Sequence, residues 1–187
     1  MYYPNGRYPY PYNENTPVNN PYNMYDERPY SNGYDDNATM VNSNVRFSRF
    51  EDYGPEPFVV NIEDATKRNN TFRTALWTGN HLQLTLMRIN VGEDIGLEVH
   101  PGLDQFLRIE EGQGIVLMGD SKDYLDFRKN VNADYAFIIP AGKWHNLINT
   151  GNVPIKLYSI YAPPQHPPGT VHRTKADALA AEQYGRH

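Results

Sequence analysis

GEDIGLEVHPGLDQFLRIEEGQG, residues Gly92 to Gly114, decides how the rest of the chain is read. Glu98 and His100 stand two apart, so on a strand both side chains leave the same face and their donor atoms converge. Pro101 and Gly102 break that strand. The chain resumes with Gln105 in a second strand, whose return brings a third donor beside the first pair. If His100 and Gln105 point inward, strand alternation puts Leu103, Leu107 and Ile109 on the same inner face as an apolar wall.

Toward the C-terminus, PAGKWHNLIN (Pro140 to Asn149) presents His145 just after a Pro-x-Gly turn at the start of another strand. In a closed barrel that strand faces the first two and completes a set of four donors. Short apolar runs punctuated by Gly, Pro and Asn predict strands over Phe58 to Ile62, Phe72 to Thr78, Leu82 to Val91, Gly96 to His100, Asp104 to Glu110, Gly114 to Met118, Tyr124 to Lys129, Tyr135 to Ile139, His145 to Asn149 and Ile155 to Tyr161. Such a series points to an all-β antiparallel sandwich or barrel, in which closure removes exposed edges. One helix is expected, after Thr174, where Thr174 and Asp177 have capping-box spacing and KADALAAEQ has high helix propensity.

These two stretches resemble the motifs of the cupin superfamily. The first motif runs Gly, five residues, His-x-His, three or four residues, Glu, six residues, Gly. Gly92, Glu98, His100, Gln105 and Gly112 fall at those spacings. Of the second motif, Pro140, Gly142, His145 and Asn149 match, with Asp134 where a leading Gly stands in the family. The resemblance spans roughly Pro57 to Pro164 and implies a single double-stranded β-helix, or jelly-roll, barrel. In the commonest cupin set the position of Glu98 is His and that of Gln105 is Glu. The exchange keeps one carboxylate and three neutral donors, so the charge presented to a divalent ion is unchanged. Type I mannose-6-phosphate isomerases look similar, with Gln and Glu in the opposite places.

Taken singly, Glu98 reads as an exposed strand residue, Gln105 as a core amide, and the two His as ordinary interior residues. Together, four polar groups aimed into one small barrel carry a heavy desolvation cost unless a shared cation satisfies them. The expected metal set is therefore Glu98, His100, Gln105 and His145. With no Cys in the chain the ligands are nitrogen and oxygen, which suit Zn, Mn or Fe, with Ni or Co as further choices. Four protein ligands leave coordination positions for water or substrate. Trp144 and Tyr158 read as packing residues. Arg88 and Arg108 read as solvent-facing, with the option of clamping an anion at the barrel mouth. His81 falls in an exposed turn, and His166 and His172 bracket a stiff Pro-rich exit that either fixes the chain path or forms a lid.

The reading divides the chain into a Tyr/Asn/Pro-rich arm (1–44), the barrel (45–165) and the exit with its helix (166–187). The arm lacks aliphatic residues to bury and is expected to be extended or disordered. A net charge of -5 and a pI near 5.6 exclude a nucleic-acid or anionic-membrane footprint, and no apolar run approaches the roughly 20 residues of a membrane span. The MYYPNGRYPYPY start lacks the cationic and apolar regions of a secretory signal, so a soluble, cytoplasmic protein is expected, with a spore coat or other surface layer as the alternative. The functional expectation is a metal-binding cupin that acts on or binds a small polar molecule such as a sugar or sugar phosphate, in the manner of an isomerase. Its rivals are a metal-dependent dioxygenase and a structural coat protein that assembles through the arm, and fold alone cannot choose among them. A homodimer is implied by the resemblance, with the Phe58 to Ile62 strand as the exchange element.

Overall fold

Along Asp104–Glu111 (β4), Trp144–Asn149 (β8) and Ile155–Ala162 (β9), buried side chains recur at every second residue, the period of a sheet with one face turned to a core. The computed structural model describes residues 51–184, so the expected arm lies outside the described residues. The other strands are Arg73–Thr78 (β1), Gln83–Ile89 (β2), Glu98–Val99 (β3), Gln113–Gly119 (β5), Phe127–Asn132 (β6), Ala136–Ile139 (β7) and Val171–His172 (β10). They form two antiparallel sheets, ordered β10-β1-β2-β9-β4-β7 and β3-β8-β5-β6. The double-sheet jelly roll is the architecture the motifs implied.

The register of the larger sheet stacks its inward residues in rows of graded polarity. Ile89 pairs with Ile155, and Met87 with Leu157 and then Ile109, at one end of the sheet. Two residues further along, Thr85, Ser159 and Leu107 share a row, and beyond it Gln83, Tyr161 and Gln105 share the next. All are buried. The apolar end meets Val116, Met118 and Leu147 of the smaller sheet to make the main core. The polar end faces the Glu98–His145 pair and is left to build a site.

Two expectations about elements are corrected. Phe58 to Ile62 is not a strand: Phe58 and Val60 lie in irregular chain, and Ile62 starts a helix, Ile62–Arg68 (α1). Asn61 caps it by accepting from the Asp64 N–H at 3.1 Å, and Glu63–Lys67 and Asp64–Arg68 pair one turn apart. Phe58, Val60 and Ile62 pack with Ala65, Leu76 and Leu86 in a second apolar cluster, so the run is apolar because it covers β1 and β2 and not because it extends the sheet. The strand expected at Tyr124 to Lys129 starts later, at Phe127, because Tyr124 is used in a tight turn whose N–H donates to the Ser121 carbonyl at 3.2 Å.

The C-terminal segment is integrated with the barrel. Lys175–Tyr184 (α2) starts with the reciprocal cap read from the sequence: the Thr174 N–H donates to Asp177 Oδ2 at 2.9 Å and the Asp177 N–H to Thr174 Oγ1 at 3.2 Å. Ala178 is buried in the main core. Before it, β10 pairs with β1, setting His172 opposite Arg73. Buried Gln83 clamps the exit by donating to the His166 carbonyl at 2.9 Å and accepting from the His166 N–H at 3.0 Å. Among the described residues no helix is long and apolar enough to cross a membrane.

Asp134 takes the left-handed conformation, φ 71°, at the position where the second motif carries Gly, a conformation Asp tolerates better than most residues. Gly92 and Gly112 also have positive φ, 76° and 90°, but differ in surroundings. A Cβ on Gly92 meets nothing within 4 Å, whereas one on Gly112 lies 2.8 Å from the Pro154 carbonyl oxygen and 2.9 Å from Ile155 Cα. Gly92→Ala should therefore cost only the left-handed strain, about 1–2 kcal/mol. Gly112→Ala should cost clearly more, because backbone must move. Urea unfolding of the two variants checks this, and equal losses would refute it.

Candidate metal centre

Register brings the first donors together: Glu98 on β3 lies directly opposite His145 on β8, in the smaller sheet. His100 follows two residues after Glu98 and emerges on the same side, its ring centroid 5.3 Å from that of His145. The two sequence motifs are joined where the Gly142 N–H donates to the His100 carbonyl at 2.9 Å. Glu98 Oε1 lies 3.5 Å from His100 Nε2 and 3.4 Å from His145 Nε2, and the ligand atoms of the three residues all lie within 4.8 Å of one another. That spacing suits a shared cation better than direct hydrogen bonds, which would be shorter.

Neither His Nε2 has a hydrogen-bond partner, although both are buried. His145 Nδ1 lies 2.9 Å from the Lys143 carbonyl oxygen, which holds the ring proton on Nδ1 and leaves the Nε2 lone pair facing Glu98. Gln105 comes from the facing sheet. Its Nε2 donates to Ser159 Oγ at 2.9 Å, which turns the amide so that Oε1, buried and without a partner, is the free end. The three unpartnered acceptor atoms and one carboxylate thus fit a divalent ion by their chemistry. Burial raises the Glu98 pKa, but His100, His145 and the charge of Arg73 outweigh it and hold the carboxyl well below the usual carboxylate range. Its side chain keeps 18% exposure.

That exposure opens onto a cavity of about 580 Å³ lined by Arg73, Glu98, His100, Trp144, His166 and His172 among others. The volume is within the range of small-molecule sites. Trp144, read from the sequence as a packing residue, is a wall of this cavity. His166 and His172 stand outside the group of three, and the Pro-rich exit forms part of the cavity wall. Arg88 and Arg108 are both half-buried, Arg108 pairs with Asp134 at 2.9 Å, and neither lines the cavity.

Arg73 is the residue the sequence did not single out. It is 1% exposed, and its Nε and Nη1 lack partners. Alternation could not reveal it, since β1 is covered by the barrel core on one face and by the α1 cluster on the other, and its first four residues are all buried. Tyr161, beside Gln105 in the polar row, is likewise fully buried with its hydroxyl unpartnered. Burial raises its pKa, against the opposing pull of Arg73.

A family model described as "Cupin domain" matches residues 85–161. The chain belongs to the cupin superfamily. This cupin is 72% identical over 132 residues to the uncharacterized protein YrkC of Bacillus subtilis (strain 168), a match covering 71% of each chain. An uncharacterized protein of Acanthamoeba polyphaga mimivirus is 43% identical over 116 residues, covering 61% of this cupin and 70% of the relative. The crystal structure of BH2720 from Bacillus halodurans superimposes with a TM-score of 0.69 at 71% identity, covering 70% of this cupin and 98% of that chain.

The wall residue His166 supplies a pH test. Burial first, and Arg73 second, lower its pKa from 6.5 to about 3. Between those values the unfolded chain binds a proton that the folded chain refuses, so stability falls as pH drops from about 6.5 toward 3. The slope this one site adds approaches about 1.4 kcal/mol per pH unit. Urea unfolding of metal-stripped protein at pH 7 and pH 5 should show a smaller loss for His166→Phe than for wild type. Equal losses would mean that His166 titrates normally.

Proposed function

We propose that this cupin is a metal-dependent protein that acts on a small polar molecule held in the cavity beside Glu98, His100 and His145. The observation that carries the reading is the coincidence of unpartnered, buried acceptors with an open cavity: His100 Nε2, His145 Nε2 and Gln105 Oε1 have no partner, and Glu98 borders the cavity. Groups this costly to bury persist where something satisfies them, and a divalent ion suits one carboxylate, two imidazoles and an amide oxygen. Zn, Mn and Fe are the leading candidates, with Ni and Co compatible with the same donors. When bound, the ion supplies Lewis-acid polarisation of an oxygen on the substrate. The protein orients that substrate, positions its donors by the β3–β8 register, and restricts water through the Pro-rich wall. A sugar or sugar phosphate, rich in oxygen donors, is the substrate class the reading favours, with isomerisation as the reaction type.

Elemental analysis of purified protein should find about one divalent ion per chain. His145→Ala should lose most of it, Gln105→Leu should weaken binding while leaving three donors, and His172→Ala should retain it. Metal-free wild type that also fails to take up Zn, Mn or Fe would overturn the reading. Acidification should release the ion as protons compete for His100 and His145, given a reference His pKa near 6.5. Occupancy that persists unchanged to about pH 4 would contradict two His ligands.

A further inference from the structure

On the side of the cavity away from the smaller sheet, a second group of buried polar atoms lacks partners, and it is built around a cation where the first is built around a carboxylate. Arg73 Nε and Nη1, Tyr161 Oη, His166 Nε2 and His172 Nδ1 are all buried without a well-formed hydrogen bond, the Tyr161 hydroxyl standing beside Arg73 and Ser159. Arg73, His166 and His172 line the cavity itself. The rings link into a chain, His100 to Tyr161 at 5.8 Å, Tyr161 to His166 at 5.2 Å and His166 to His172 at 6.4 Å, that runs from the proposed metal centre to the exit segment. Among the described residues no carboxylate lies within 4.0 Å of the Arg73 guanidinium, and no ion pair includes it.

A buried guanidinium cannot shed its charge, and the Phe72 ring 5.6 Å away and the more distant Glu98 charge offset only part of its desolvation cost, which a directly bound anion would offset further. The acids on the cavity lining are Glu98, which faces His100 and His145, and Glu182, which is exposed on α2. Once a divalent ion is added beside Glu98, Arg73 leaves the buried site with a surplus of about two positive charges. His166 and His172 add none near neutral pH, since burial and the charge of Arg73 hold both below their ordinary pKa. The neutral rings and the Tyr161 hydroxyl remain as hydrogen-bonding groups around a fixed cation.

From this arrangement we infer that the cavity binds a small molecule bearing an oxyanion, a carboxylate or a phosphate, whose anionic end is held by Arg73 with the His166 side chain, both of which line the cavity, while another of its oxygens faces the metal centre. The inference rests on the proposed metal reading for the second contact only. The clamp is built into the fold: β10 fixes His172 opposite Arg73, and the Gln83 clamp fixes His166. Guanidinium groups suit both oxyanions, so the source of the anion is a matter for the test.

The test is calorimetric titration of metal-loaded protein at constant ionic strength with malonate, inorganic phosphate and the neutral analogue malonamide. Malonate or phosphate should bind and malonamide should not, and the better anion identifies carboxylate or phosphate as the natural group. Arg73→Met, which substitutes an apolar chain of similar length, should weaken anion binding by roughly tenfold to a hundredfold, the loss of one or two charge-assisted hydrogen bonds. Its metal content should stay at the wild-type level. If this variant does not fold, the thermal midpoint of wild type decides: malonate or phosphate should raise it with concentration, and malonamide should not. Anion binding unchanged by Arg73→Met, or no anion binding and no thermal shift in wild type, overturns the inference. Should the protein prove to carry no metal, Arg73-dependent anion binding to metal-free protein still supports the subsite while the metal reading falls.

Discussion

The polar atoms turned inward at one end of the barrel are the constraint on which the rest of the molecule depends. A jelly roll of this size could have filled its interior with aliphatic side chains, as it does where Met87, Leu107, Ile109, Leu147 and Leu157 meet. Two residues along the same strands it instead buries Gln83, Thr85, Gln105, Ser159 and Tyr161, and sets His100, His145 and Arg73 into the same interior. Part of that polarity is satisfied internally, by Gln83 on the backbone of His166 and by Gln105 on Ser159. The remainder has no partner within the chain. Unsatisfied buried groups each cost about 1–3 kcal/mol, more when charged, and their concentration in one place is what supports the proposed binding site.

The division of labour between the sheets follows. The smaller sheet supplies acceptors, through the Glu98–His145 pairing and the lone pair that Lys143 leaves on His145 Nε2. The larger sheet adds the Gln105 acceptor and, apart from it, the cationic donor Arg73, the only buried Arg among the described residues. A cavity with a carboxylate on one side and a guanidinium on the other is electrostatically polarised, which would orient a polar ligand placed between them. The exit segment closes the donor side. It is held by Gln83, and by Asp52, which accepts from the Gly169 N–H at 2.8 Å and from Thr78 Oγ1 at 2.5 Å.

Much of this was legible in the sequence, and the failures have physical causes. The spacing of Glu98, His100 and His145 sufficed because strand period and two Gly/Pro turns fix where those side chains go. The α2 cap was legible because Thr174 and Asp177 act locally. The helix α1 was hidden by its brevity and by the apolar run before it, which covers the outside of the sheet. Arg73 was hidden because β1 is buried on both faces, so period 2 carried no information there. His166 was noticed but not placed, because its position depends on a hydrogen bond from Gln83, 83 residues away in sequence.

X-ray absorption spectroscopy of the metal-loaded protein tests the central claim most directly, since it reads the donors around the ion without reference to activity. The account predicts a first shell of nitrogen and oxygen at about 2.0–2.2 Å with the outer-shell scattering of two imidazoles, one of them lost in His145→Ala. A shell with no imidazole scattering, or one unchanged by His145→Ala, would contradict it.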